Sequence, residues 1–305
     1  MKKDFDYLIQ RLKNIKDIEI KTDIHLKNYT SFKVGGPAAI YTLPHNINAL
    51  KNILLEVKNF NIPFFIMGKG TNVIVGDKGF KGIVIHTINL NNITVKNNII
   101  KAESGINLST LAGKALNNSL SGLEFASGIP GSLGGAIYMN AGAYGSEMKD
   151  VVTKTKVLNY LGKEIILNKS ELNLSYRNSI LQDKPYIAVE IEVKLEPGNK
   201  VEIRKKMNQL NQKRKEKQPL EWPSAGSIFK RPPDNYVGAL IENAGLKGTQ
   251  IGGAQVSEKH AGFIINKGDA TAVDIKKLIS KIQEEVYQKF GVKLEPEPRF
   301  IGKFN

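Results

Sequence analysis

The 305-residue sequence contains no cysteine, which excludes disulfides, thiolate nucleophiles, cysteine-ligated zinc and any cofactor linked through sulfur. Its four histidines, His25, His45, His86 and His260, stand apart and lack metal-ligand spacing with Asp or Glu, so no metal is expected. No apolar run approaches a membrane span. The stretch from Met1 to Lys16 mixes charges with apolar residues and does not read as a secretory signal, so the expected location is the cytoplasm. A G-x-S-x-G elbow is missing around Ser227, which leaves a Ser-His-Asp hydrolase without support. There is no internal repeat or low-complexity linker.

Acidic residues are also in short supply, 29 against 44 basic ones, for a formal charge of +15. Such an excess invites a nucleic-acid reading, because clustered Lys and Arg neutralise phosphates. The basic residues are instead scattered along nearly every element. Only Arg204 to Lys217 forms a dense run, and it reads as well as a solvated helix face as a contact surface. With no aromatic platform beside it, neither a nucleic-acid nor a membrane partner is expected.

What is present suits a globular α+β chain of more than one domain. Phe5, Leu8, Ile9, Leu12 and Ile15 recur at helical spacing, as do the apolar residues from Ile47 to Phe60, before a break at Pro63. Short β-like runs cover Ala39 to Thr42, Phe64 to Met67, Gly82 to Thr87 and Ile99 to Glu103. A helix from Asn107 to Asn117 has Asn107 as its cap. Strands are predicted at Val151 to Leu158, Gly162 to Leu167 and Tyr186 to Leu195, the last with clean alternation of an antiparallel type. The Glu196-Pro197-Gly198 break marks a boundary near residue 200. Beyond it come a basic helix, a loop from Pro219 to Asp234, a short helix Val237 to Asn243 closed by Gly245, a strand Gly262 to Asn266, and a helix from Thr271 to Phe290 ended by Gly291.

Two segments have the chemistry of a phosphate cradle. Gly68, Lys69, Gly70, Thr71 and Asn72 follow an apolar strand, and their glycines allow backbone N–H groups close to an anion, although neither a Walker loop nor a dinucleotide fingerprint is complete. The tract from Gly122 to Gly145 carries seven glycines, a density that costs entropy on folding and suits backbone laid against a flat or charged ligand. Tight packing of a helix start on a sheet is the alternative. Pro130 is a candidate first residue for a helix whose N–H groups face an anion. Tyr176-Arg177-Asn178-Ser179 and Ala225 to Pro232 (AGSIFKRP) place cationic and hydroxyl groups in loops. Leu294 to Arg299 sets Glu295 and Glu297 between prolines in extended backbone.

In chain order, NYTSFKVGG (28–36), GKGTN (68–72), GIPGSLGG (128–135), MNAG (139–142), Tyr176-Arg177, GSIFK (226–230) and LEPEPRFIG (294–302) resemble the UDP-N-acetylenolpyruvoylglucosamine reductase family over almost the whole chain. The short interval between Arg177 and Ser227 points to the subclass that lacks an extra tyrosine-bearing loop. The resemblance implies a two-part FAD-binding module of the vanillyl-alcohol-oxidase type over residues 1–200, to which the C-terminal tail returns, and a smaller α+β substrate domain over 201–305. It implies noncovalent FAD, with NADPH as co-substrate, acting on the enolpyruvyl ether of a UDP-sugar in a monomeric enzyme. FAD would be held by Gly68, Lys69, Gly70, Thr71 and Asn72, and by Ser127, Gly128, Pro130, Gly131, Ser132, Gly134, Gly135, Ala136, Asn140, Ala141 and Gly142. Ser227 would be the general acid, with Arg177 and Glu297 stabilising an enolate. A carboxylate beside an enolate repels it unless protonated or bridged by water, so Glu297 is expected to have one of those supports. Tyr144, Tyr176, Lys230, Arg231 and Gln255 would contact the substrate. The competing readings are another flavin oxidase of the same fold, acting on an alcohol or hydroxy acid, and, more remotely, a basic nucleic-acid-binding protein.

Overall fold

The computed structural model describes residues 2–304, which form two compact units. One comprises residues 2–22, 39–69 and 82–214, and the other residues 23–38, 70–81 and 215–304. The units therefore interleave along the chain, with two short N-terminal segments joining the C-terminal third.

The first unit carries two sheets. A four-stranded sheet runs in the order Ile18–His25, Pro37–Pro44, Phe80–His86, Phe64–Met67, with the last two strands parallel. Helices Lys2–Lys13 and Ile47–Phe60 bury Leu8, Leu12, Leu50, Ile53, Leu54 and Val57 in one cluster with Ile40, Ile83 and Ile85 of that sheet. The second helix has sharp ends. Asn46 caps it by accepting from Ala49 N at 2.9 Å, and Asn61 adopts a left-handed φ of 50° just ahead of Pro63.

The second sheet of this unit, of five strands, is antiparallel throughout in the order Glu164–Asn168, Val152–Asn159, Tyr186–Lys194, Ile99–Glu103, Ile93–Lys96. Its central strand buries Ile187, Val189, Ile191 and Val193, the alternating residues expected from the sequence. Helix Leu108–Asn117 lays Leu108, Leu111, Ala112 and Ala115 in the adjoining core. Asn107 occupies its N-cap position, but its side chain makes no capping bond. The backbone of Asn107 is instead bridged to Ser132. Helix Lys200–Lys217 is largely exposed, with Ile203 as its buried residue.

The other unit has a four-stranded sheet in the order Ser224–Ser227, Phe263–Asn266, Ala254–Val256, Gln250–Ile251. The loop expected over residues 219–234 thus contains a strand, because Ser224–Ser227 finds a partner in Phe263–Asn266 that local composition does not reveal. Helix Ala272–Phe290 buries Ile275, Leu278, Ile279, Ile282 and Val286. Full burial of such a side chain contributes about 1.5–3 kcal/mol, so this stripe anchors the unit. Gly291, at φ 68°, ends the helix as the sequence indicated. At its start Thr271 and Asp274 form a capping box, and the Asp77 carboxylate accepts from Ala272 N at 2.8 Å and Val273 N at 3.0 Å. Strand Arg299–Ile301 pairs in parallel with Val73–Val75. Among the described residues no helix is long and apolar enough to cross a membrane.

Asp77 satisfies two otherwise orphaned helix N–H groups and complements the positive end of the helix. Replacing it with Ala is expected to lower stability by about 1–2 kcal/mol, read as a lower urea midpoint at unchanged slope. An unchanged midpoint would show that Thr271 alone satisfies the helix start.

Candidate active site

In the first unit the chain leaves strand Phe64–Met67 at Gly68, where it meets the second glycine-rich segment. A Cβ on Gly68 would lie 2.2 Å from Ser132 Oγ, so only glycine permits this approach. Ser132 is buried, caps the six-residue helix Leu133–Tyr138 and accepts from Gly135 N at 3.4 Å. The helix therefore begins at Leu133 and not at Pro130. Its first N–H groups already have protein acceptors: Leu133 N donates to Ile106 O and Gly134 N to Ser104 O, each at 2.8 Å. These donors hold the tract to its neighbours and do not face an anion. Gly134 is a packing glycine, since its Cβ would stand 2.8 Å from Ser104 Cβ.

Beyond this helix the tract builds a scaffold for Arg177. Ser179 Oγ and Gln182 Nε2 both donate to Tyr138 O at 2.8 Å, and Gln182 Nε2 also donates to Arg177 O at 3.0 Å. Asn140, fully buried with φ 41°, donates through Nδ2 to Ser175 O and to Glu147 Oε2, and accepts from Lys149 N. Its amide is spent on positioning the chain just before Tyr176. Arg177 itself has φ 54°, a conformation costly for a residue with a Cβ, and its guanidinium lies 5.2 Å from the centroid of the exposed Tyr176 ring. Tyr144 and Gly145, at φ 56° and 86°, form the two-residue turn of a hairpin pairing Ala143 with Ser146, which leaves Tyr144 half exposed.

Arg214, within the basic run, is a residue that composition alone did not single out. Its Cδ stands 3.3 Å from where a Gly128 Cβ would be, and the same point is 2.4 Å from Asn211 Oδ1. Asn211 in turn receives the Ser127 hydroxyl at 3.3 Å. Arg214 Nε is enclosed, with no hydrogen-bond partner among the described residues. Burial lowers the Arg214 pKa from its usual value, and the nearby Tyr144 acts in the opposite sense. The i, i+3 spacing of Asn211 and Arg214 on one helix was the available signal.

In the other unit Ser227 closes strand Ser224–Ser227 and pairs with Phe263. Gly226, just before it, takes φ 77° and supplies the irregularity that turns the end of the strand. Pro296 bridges Phe229, flanked by Lys230 N donating to Glu295 O at 2.8 Å and Glu297 N donating to Ile228 O at 3.0 Å. This pairing sets Glu297 beside the residue that follows Ser227. Asn72 Nδ2 donates to Glu297 O at 3.3 Å, and Asn72 O accepts from Arg299 N at 2.9 Å, so Asn72 clamps the acidic tail. Lys230 pairs with Glu295 at 2.6 Å. Arg231 Nε donates to Asn235 O, with its guanidinium 4.0 Å from the Tyr236 ring, and Gln255 donates to Gly248 O. Among the described residues no group of three His, Asp or Glu side chains is placed to hold a metal ion.

Residues 218–301 match the family model described as UDP-N-acetylenolpyruvoylglucosamine reductase, C-terminal domain, and residues 38–168 match an FAD binding domain. The UDP-N-acetylenolpyruvoylglucosamine reductase of Caldanaerobacter subterraneus is 52% identical over 299 residues, covering 98% of this chain and 99% of the relative. The chain belongs to the UDP-N-acetylenolpyruvoylglucosamine reductase family. The Clostridium kluyveri member is 48% identical over 99% of this chain and all of its own. The Thermus caldophilus reductase structure superposes with a TM-score of 0.80 at 33% identity, covering 93% of this chain and 99% of that one. A 4-ethylphenol oxidase from Gulosibacter chungangensis, at TM-score 0.51 and 15% identity, shares the fold alone over 65% of this chain and 43% of its own.

Like its family, the chain is an FAD-dependent oxidoreductase, and the residues fit that cofactor. The close Gly68–Ser132 approach brings two glycine-rich backbones together. The enclosed Arg214 Nε–H is a donor suited to a carbonyl or anionic atom of a bound group.

Removing the Gln182 tether by Gln182→Ala is expected to lower kcat by about 5- to 30-fold, the rate equivalent of roughly 1–2 kcal/mol, while FAD stays bound. Steady-state rates and the flavin spectrum of the same preparation check this; unchanged kcat would mean that Arg177 needs no such tether.

Proposed function

We propose that this chain reduces the enolpyruvyl ether of UDP-N-acetylglucosamine to UDP-N-acetylmuramate, a step in peptidoglycan precursor synthesis, and that it does so as a cytoplasmic monomer with no nucleic-acid or membrane partner. The observation that supports the reading best is the pairing of Ile228 and Lys230 with Glu295 and Glu297, which seats two expected catalytic residues, Ser227 and Glu297, on neighbouring backbone. FAD binding is assigned to residues 1–200 and substrate binding to 201–305.

The chemistry that bound FAD supplies is hydride transfer from NADPH to the terminal carbon of the enolpyruvyl group. Arg177, whose backbone carbonyl accepts from Gln182, itself anchored on the Tyr138 carbonyl, is assigned to the negative charge that develops on the enolate. Ser227 is assigned to protonate the adjacent carbon. A serine hydroxyl is a poor acid in water, but proton transfer to a strongly basic enolate, with cationic stabilisation of the charge, makes it competent. Glu297 is assigned with Arg177 to stabilise the enolate, through a protonated carboxyl or a bridging water that removes the charge repulsion. Lys230 and Arg231, on the segment following Ser227, are assigned with Tyr144, Tyr176 and Gln255 to the substrate's anionic groups. Engagement by the substrate requires Lys230 to exchange its Glu295 partner. That exchange is cheap for a pair whose Glu295 side chain is 69% exposed.

The test is anaerobic. The oxidised flavin band should bleach with NADPH and return rapidly on adding the UDP-sugar enolpyruvyl ether. Ser227→Ala is expected to keep the bleaching step and to slow reoxidation by about 100-fold or more. A band that bleaches but never returns with this substrate would leave a flavoprotein of other specificity. Arg177→Lys is expected to slow the same reoxidation step, because an ammonium lacks the planar two-pronged donor set. Rates equal to the unsubstituted enzyme's would remove Arg177 from the assignment.

A further inference from the structure

His260 is a half-buried titratable group that the catalytic assignment does not use, and it lies on the turn that leads into the partner strand of Ser227. That turn joins strand Ala254–Val256 to strand Phe263–Asn266. At its start the buried Ser257 accepts through Oγ from Lys259 N and His260 N, each at 3.2 Å, and donates through its backbone N to Phe263 O at 2.9 Å. His260 then holds both peptide groups that flank Gly262. Its Nδ1 accepts from Gly262 N at 3.1 Å, and its carbonyl accepts from Phe263 N at 3.0 Å. Gly262 O, which belongs to the second of those peptides, accepts from Ile228 N at 3.0 Å. Ser227, the residue before Ile228, pairs with Phe263, whose ring meets the His260 ring edge-on with centroids 5.0 Å apart.

The imidazole is closed in by backbone. A Cβ on Gly262 would stand 3.0 Å from its Cε1, and one on Gly238, in helix Val237–Asn243, 3.5 Å from the same atom. Burial lowers the His260 pKa from its ordinary value, with Lys217 and Lys247 acting in the same sense and Glu242 in the opposite one. The ring is therefore neutral near pH 7. The Gly262 N–H meets Nδ1, so that nitrogen carries the lone pair and the ring proton resides on Nε2. Glycine has the widest backbone freedom of any residue, and a carbonyl at such a position turns unless the peptides on both sides are tied. His260 ties both.

We propose that His260 is a positioning residue for the proton-transfer step: its Nδ1 fixes the Gly262 peptide, the Gly262 carbonyl fixes Ile228, and Ser227 is thereby held in register with its hydroxyl in place for the substrate. The proposal rests on the assignment of Ser227 as the proton donor. His260 touches no reacting atom and acts only through main chain. A misplacement of about 1 Å at a reacting group costs up to about 100-fold in rate. The loss belongs to the step that uses Ser227 and leaves reduction of the flavin by NADPH alone.

The experiment follows the two anaerobic half-reactions of the FAD-loaded enzyme by stopped flow, bleaching by NADPH and reoxidation by the UDP-sugar enolpyruvyl ether, together with melting temperatures. His260→Leu, which has no acceptor, is expected to bleach within about twofold of the unsubstituted rate and to reoxidise about tenfold more slowly. His260→Asn, whose Oδ1 reaches the place of Nδ1, should reoxidise within about threefold of the unsubstituted rate. A histidine kept merely for packing predicts the reverse order, because leucine suits an enclosed site better than an amide does. His260→Phe keeps a ring against Phe263 without an acceptor; it should be as slow as His260→Leu, and it carries the test if that variant does not fold. Added to Ser227→Ala, His260→Leu should change reoxidation by less than about twofold, since the group it positions is already gone. Equal reoxidation rates for the Leu and Asn variants, or a tenfold loss that persists in the Ser227→Ala background, overturn the inference. A Ser227→Ala enzyme that reoxidises at the unsubstituted rate overturns the assignment of Ser227 itself, and the inference with it.

Discussion

The approach of Gly68 to Ser132 constrains much of the first unit. A hydroxyl occupies the space where any side chain at residue 68 would begin, so strand Phe64–Met67 must end against the start of helix Leu133–Tyr138. That contact sets the helix, and the Tyr138 carbonyl near its end is the shared acceptor for Ser179 and Gln182. Gln182 reaches on to the Arg177 carbonyl. A run of short backbone contacts thus connects the glycine-rich loop to the expected anion-stabilising arginine, each link fixed by sterics or by a buried polar group that must be satisfied.

The other unit solves a similar problem with strand pairing. Residues 228–230 and 295–297 are far apart in sequence, and two main-chain hydrogen bonds hold them in register. Asn72 then clamps the carbonyl of Glu297 and the N–H of Arg299. Prolines 296 and 298 suit this use, because each lacks an N–H while the intervening Glu297 supplies the one that Ile228 accepts. The buried stripe of helix Ala272–Phe290 gives the unit its rigidity.

Much of this was legible from residue order. Helices Ile47–Phe60 and Ala272–Phe290 have long apolar periods with polar caps, and the alternation in Tyr186–Lys194 marks a half-buried strand. Strands Val73–Val75, Ile93–Lys96 and Ala254–Val256 were not read from residue order, since each is three or four residues long and is defined by its pairing partner more than by its own pattern. Ser224–Ser227 read as loop because small and polar residues dominate it; a distant partner makes it a strand.

Residue order alone carried the family and its flavin chemistry, because seven motifs in a set order are a property of the chain alone. Tertiary structure decided what each polar group is spent on. It committed the first N–H groups of the Leu133–Tyr138 helix to Ile106 and Ser104, turned the Asn140 amide to positioning Ser175, and enclosed the Nε of Arg214 within an otherwise solvated basic helix. Periodicity and composition record local preference. Which donor meets which acceptor depends on residues brought together from distant parts of the chain, and no local pattern encodes that.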